Sequence, residues 1–110
     1  MPKLLLKYIR KIQQLLLNDP SSHVRISAAS VLGVCSKHPD HSLFAALWFD
    51  PNRIVKRSAL SSILQSAGIS RTRISQLLNQ IDEEGEKLTQ EEMKRILSEN
   101  RIEIPNEFNL

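Results

Sequence analysis

Cys35, His38, Asp40 and His41 place a thiol, two imidazoles and a carboxylate at short spacing, the side chains that bind zinc. Structural zinc usually draws four ligands from two separated clusters, and His23 is the only other histidine. The pattern therefore reads as Cys35 in the core, as a small apolar residue, with the histidines on a loop surface and no metal. Asp82, Glu84 and Gly85 followed by Glu91 superficially resemble a calcium loop. With Gly85 as the sixth position, however, Gln80 falls first and Lys87 falls at the apolar eighth, so the ligand pattern fails. No serine sits in a Gly-x-Ser-x-Gly turn and no glycine-rich phosphate loop occurs. The paired carboxylates Glu83/Glu84 and Glu91/Glu92 belong to a polar segment rather than to a cleft. These residues give no enzyme and call for no cofactor.

Basic side chains offer a different chemistry. Arg53, Arg57 and Ser61 are spaced by four and line one stripe of a helix, with Lys56 beside them. Arg71 and Arg73 open the next helix, and Arg25 flanks the equivalent stripe Ser22, Ile26 and Ser30. Such a patch can hold phosphates through counterion release, yet it lacks aromatics on which bases would stack. It fits a solvated helix face, an acidic protein partner, the chain's own acidic end, or nucleic acid. The net charge of +3 conceals this asymmetry. Residues 1–80 carry 11 Lys/Arg against Asp19, Asp40 and Asp50, while residues 81–110 carry 4 Lys/Arg against 9 Asp/Glu.

Hydrophobic periodicity supplies the elements that carry these groups. Residues 3–18 form a helix on which Lys3, Lys7, Arg10, Lys11 and Gln14 share a narrow arc. Leucines, isoleucines and Tyr8 fill roughly 220° of the remainder, whereas one core contact needs only about 100°. That helix is expected to be packed on two sides: either the chain is the C-terminal part of a longer protein, or Leu4, Leu5, Ile9 and Leu16 form an edge that dimerises or meets another subunit. Ile102, Ile104 and Phe108 in the tail are an alternative cover. Further helices are expected at about 21–37 (inner stripe Val24, Ala28, Val31, Leu32 and Cys35), 42–49, 52–67, 70–82 and from Thr89 to near Asn100. Leu43, Phe44, Leu47 and Trp48 share one face of the third, and Gly68 stops the fourth. Ser21 or Asp19, Ser70 and Thr89 are the expected caps, the last in a capping box with Glu92.

Two of these segments are copies. Over Leu15–Lys37 set against Ala46–Gly68, 7 of 23 positions are identical at a period of 31: Leu16/Leu47, Asp19/Asp50, Pro20/Pro51, Val24/Val55, Ser27/Ser58, Ala28/Ala59 and Ser30/Ser61. A fixed period in this range means stacked helical repeats. A third, degraded copy is expected over 70–100, with Asp82 32 residues after Asp50 and a polar outer face suited to a terminal cap. The reading is one all-α domain over residues 1–100, with repeats at about 3–37, 42–67 and 70–100, followed by a tail at 101–110.

The string helix, Asp-Pro-x-x-x-Val-Arg/Lys-x-x-Ala, helix resembles the HEAT-repeat family in its short-period form, well over residues 15–68 and poorly over 70–100. The resemblance implies antiparallel helix pairs stacked as a right-handed α-solenoid, with the second helix of each pair on the concave, binding side. It also implies that Asp19/Arg25 and Asp50/Lys56 form an inter-repeat ladder, so that Asp19, Pro20, Val24, Ala28, Asp50, Pro51, Val55 and Ala59 are structural. The function it implies is a non-catalytic protein-binding scaffold. Alternatives are a nucleic-acid binder using the basic concave face, and a scaffold subunit of a lyase-like complex. The lone Cys35 gives no internal disulfide, and no apolar run reaches the ~20 residues of a membrane span. No signal-peptide pattern occurs. The expected location is cytoplasmic.

Overall fold

Each Asp-Pro step closes one helix and opens the next through the same local bonds. Proline lacks the N–H a helix would use and pushes the preceding residue out of helical geometry. In the computed structural model, which describes residues 3–83 and 89–108, α1 (Lys3–Asn18) ends before Asp19. The Asp19 carboxylate accepts the Ser21 N–H at 2.8 Å, and the Ser21 hydroxyl accepts the Val24 N–H at 3.4 Å, capping α2 (Ser22–Cys35). The step repeats after α3 (His41–Phe49). Asp50 Oδ1 accepts the Asn52 N–H at 2.9 Å, and Asn52 caps α4 (Arg53–Ser66) through the N–H groups of Ile54 and Val55. Ser70 caps α5 (Arg71–Glu83) through the Arg73 N–H, and Thr89 caps α6 (Gln90–Glu99) through the Glu92 N–H. Gly68, at φ +88°, ends α4, where the Ile69 N–H reaches back to the Leu64 carbonyl at 3.0 Å. No strand occurs among the described residues.

The pairs stack in two layers. Within pairs α1 packs on α2 and α3 on α4; between pairs α1 meets α3, α2 meets α4, and α5 packs on α4. This is the arrangement of an α-solenoid. Its core runs through Leu16, Leu32, Leu43, Leu47, Val55, Leu60, Ile63 and Leu64, then Met93, Ile96 and Leu97, all buried. Each such side chain contributes about 1.5–3 kcal/mol by leaving water. The tightest approach joins the second helices. A Cβ on Gly33 would lie 2.8 Å from Ser62 Cβ and 2.9 Å from its Cα, so only glycine allows α2 this close to α4. The Ser66 hydroxyl donates to the Gly33 carbonyl across the same seam at 3.2 Å.

Consecutive pairs are tied by arginine–aspartate contacts of constant span. Arg25 reaches Asp50 in the next pair, Nε to Oδ2 at 2.9 Å and Nη2 to Oδ1 at 3.3 Å, while its Nη1 donates to the Asp19 carbonyl at 2.8 Å. Arg57 reaches Asp82 in α5, Nε to Oδ1 at 3.2 Å and Nη2 to Oδ2 at 2.9 Å. Both pairs span 25 residues. The ladder expected at Asp50/Lys56 is thus carried one residue later, by Arg57. An arginine fork can take both carboxylate oxygens and an ammonium cannot. Asp82 fills the aspartate position expected of a third copy, and Ile96 and Leu97 are buried as Ile63 and Leu64 are.

Three expectations need correction. The α2 core stripe is Ala28, Ala29, Leu32 and Gly33, whereas Val31 and Cys35 are exposed and Val24 is half-buried. The helix turns its small residues toward α1 and α4, which leaves the Val31/Cys35 flank facing outward. On α1, Ile9 and Leu16 are buried in the chain's own core rather than forming an edge. The side chains of Leu4 and Leu5 lie outside the described residues. The tail covers α3, not α1. Phe108 is buried with its ring 5.2–6.3 Å from those of His41, Phe44, Trp48 and Phe49, and His41 Nε2 meets Glu107 Oε1 at 2.7 Å.

Three outcomes follow for stability, all measurable by urea denaturation. Arg25→Met leaves the Asp50 carboxylate, 6% exposed, without its cation, and should cost about 3–5 kcal/mol. Arg57→Met breaks a pair that is 40% and 44% exposed, and should cost no more than about 1 kcal/mol. Gly33→Ala should destabilise by about 1–3 kcal/mol despite alanine's better helix propensity, because the Ser62 backbone must move. An unchanged unfolding midpoint would refute the close-approach account.

Candidate functional site

The side chains singled out for chemistry are dispersed. Cys35 is exposed near the end of α2. Asp40 caps α3 by accepting the Ser42 N–H at 2.9 Å, and it also accepts Gln13 Nε2 at 2.8 Å. His41 turns to Glu107 and Phe108. Among the described residues no three His, Cys, Asp or Glu side chains converge as metal ligands. Glu84, Gly85 and Lys87 of the calcium-like pattern lie outside the described residues.

The basic surface is smaller than its sequence suggests. Arg25 is almost wholly covered and bonded to Asp50 and to the Asp19 carbonyl, so it offers no free cation. Arg57 is engaged by Asp82. Arg53, Arg71 and Arg73 remain exposed, with Lys56 and Ser61 half-buried. Asn52, Arg53, Ile54 and Arg57 line an open depression of about 360 Å³.

A second surface was read from the sequence only as an edge of α1, and on other residues: the outward flanks of α1 and α2 together form it. Gln13 faces α3, since it bonds Asp40. Tyr8 and Leu15 lie about 140–160° around α1 from Gln13, and both are exposed. Gly33 faces α4, and Val24, Val31 and Cys35 lie about 160–180° around α2 from it. The internal copy shows what this geometry does when covered. One period of 31 residues on from Val24, Val31 and Cys35 stand Val55, Ser62 and Ser66. Those three are 0%, 3% and 8% exposed, Ser62 and Ser66 against α2, whereas Val31 is 40% exposed and the adjacent Val34 71%. α2 therefore presents outward the flank with which α4 packs inward, and that flank is more apolar than its buried counterpart. Aligning burial with the repeat, rather than with hydrophobicity alone, would have found it.

No helix among the described residues is long and apolar enough to cross a membrane. The HEAT-repeat family model matches residues 9–38, the second half of α1 with all of α2. No curated protein and no solved structure gives a significant match. HEAT repeats generally act as protein-interaction scaffolds and are typically non-catalytic. The family model covers the first pair, and the second builds the same Asp-Pro turn and arginine–aspartate tie, which together support a HEAT-like reading of the stack.

Proposed function

We propose that the chain is a non-catalytic protein-interaction module, a single repeat domain over residues 1–100 working in the cytoplasm, and that it docks its partner on the α1–α2 edge. One observation carries this reading. Val31 and Cys35 are exposed at positions whose copies, Ser62 and Ser66, are buried against a neighbouring helix. Tyr8, Leu15 and Val34 extend the same apolar surface. Contiguous apolar patches on a protein surface commonly mark interaction sites. The nucleic-acid reading loses support because Arg25 and Arg57 are occupied internally. A lyase-like scaffold role would appear as activity only when a second chain is present.

The test compares wild type with Val31→Glu/Val34→Glu, both at exposed positions. The variant should keep its helicity and melt within about 2 °C of wild type, since exposed substitutions act within about 0.5 kcal/mol. It should lose the specific protein captured by immobilised wild type. Labelled single- and double-stranded oligonucleotides should not bind at near-physiological salt. Capture unchanged in the variant would remove the edge. Salt-steep oligonucleotide binding lost in Arg53→Glu/Arg71→Glu would make the basic face the functional one.

A further inference from the structure

We propose that α3 carries a groove for an extended segment of a partner protein, and that residues 101–108 of this chain are a strap holding that groove shut. The segment it takes has the strap's own chemistry, a phenylalanine directly after a carboxylate. The groove is separate from Val31 and Val34 on α2, so the inference does not rest on the α1–α2 edge.

The strap meets the helices almost entirely through side chains. It leaves α6 through Arg101, whose φ of +59° lies in the left-handed region that favours glycine. The Ile102 N–H closes that turn on the Leu97 carbonyl at 2.9 Å. From Glu103 to Phe108, no backbone hydrogen bond joins the strap to the helices among the described residues. The Phe108 N–H bonds within the strap, to the Pro105 carbonyl at 2.9 Å. The one polar tie, His41 Nε2 to Glu107 Oε1, is 59% and 61% exposed, and exposed pairs hold weakly. An open space of about 410 Å³ is bordered by Ile102 and Pro105 of the strap and by His38, Pro39, Phe44 and Ala67 of the helices. The buried Ile102 and Phe108 are the anchors, and Phe108 is the one seated on α3.

The seat is larger than its occupant. The Phe108 ring is buried against His41, Phe44, Trp48 and Phe49, yet Phe49 stays largely exposed. Phe49 also borders an open depression of about 310 Å³ between α1 and α3, together with Leu16, Leu17, Ala45 and Pro51. Apolar surface therefore continues past the strap. A partner segment that seats a phenylalanine and also covers Phe49 and Leu17 would bury area that the strap leaves in water. The ring cluster favours an aromatic side chain, and His41 beside it favours a carboxylate one residue earlier. A segment held this way opens locally, without unfolding the stack.

Trp48 is the only tryptophan, is buried, and has its ring 5.7 Å from that of Phe108, so its emission reports on the strap. In the full chain, Phe108→Ser should keep the helical circular dichroism and move Trp48 emission to longer wavelength. A fluorescein-labelled peptide of residues 101–108 should then bind this variant saturably by anisotropy. In the wild type the strap competes at an effective concentration on the order of millimolar, so the peptide should bind the variant at least about tenfold more tightly than the wild type. A peptide carrying Phe108→Ala should not bind. Phe49→Ser added to the variant should weaken the native peptide severalfold. A peptide that binds the variant no better than the wild type, or not at all, would overturn the groove. Should Phe108→Ser lose its helices, hydrogen exchange of the wild type decides. The Phe108 N–H should exchange at least about 100-fold faster than those of Leu60 and Ile63 in α4, and equal rates would make the segment part of the core and overturn the strap. A wild-type dimer that becomes a monomer in Phe108→Ser would give the groove to the strap of a second copy and overturn the partner segment.

Discussion

Asp50 joins the end of one helix, the turn into the next and an arginine 25 residues away in sequence. Its own N–H closes α3 on the Ala46 carbonyl, its Oδ1 holds the turn into α4 through Asn52, and its carboxylate receives the Arg25 fork from the pair before. A carboxylate this covered would be costly to leave bare. The arginine that relieves it also accepts a second duty at the Asp19 carbonyl, so one guanidinium ties two Asp-Pro turns together. Apolar burial holds the helices together without direction, whereas the fork fixes register along their length.

The seam between α2 and α4 shows how that register is used. With the turns tied, Gly33 arrives against Ser62 at a distance that admits no side chain, and Ser66 finds the Gly33 carbonyl. Close backbone approach brings the small arc Ala28, Ala29 and Gly33 inward. Rotating the helix to bury Val31 and Cys35 instead would move Gly33 from the seam and place branched side chains where Ser62 now allows contact. The exposure of Val31 and Val34 is thus a consequence of the fit on the other side of α2. An apolar outer flank is the residue of a packing choice made within the stack, and it is available to a neighbour.

Much of this was legible in the sequence because the signals are local. Asp-Pro steps, Ser and Thr caps, Gly68 and the 3.6-residue stripes of α3 to α6 place the helices within a residue or two. The repeat pairing Asp19 with Asp50 identified the stack. What stayed hidden depends on which neighbour each helix meets. Hydrophobicity assigned Cys35 and Val31 to the core, but a helix at the edge of a stack has one covered flank and one bare one, and the sequence of a single helix does not say which. Gly33 carried a usable hint, since glycine inside a helix costs about 1 kcal/mol relative to alanine and is kept where backbones approach. Lys56 aligned with Arg25 by count, yet Arg57 makes the bond, because ladder geometry selects a fork within reach rather than a column in an alignment.

The two ends of the stack are built unlike each other. At the far end Arg57 satisfies Asp82, the arginine positions that follow are Leu88 and Thr89, and α5 shows solvent a polar face. At the near end an aspartate keeps the ladder's turn geometry without a guanidinium, beside valines that the second pair's equivalents bury or replace with polar residues. The α1–α2 flank and the α5 flank of the described residues therefore differ in chemistry, the first apolar and the second polar.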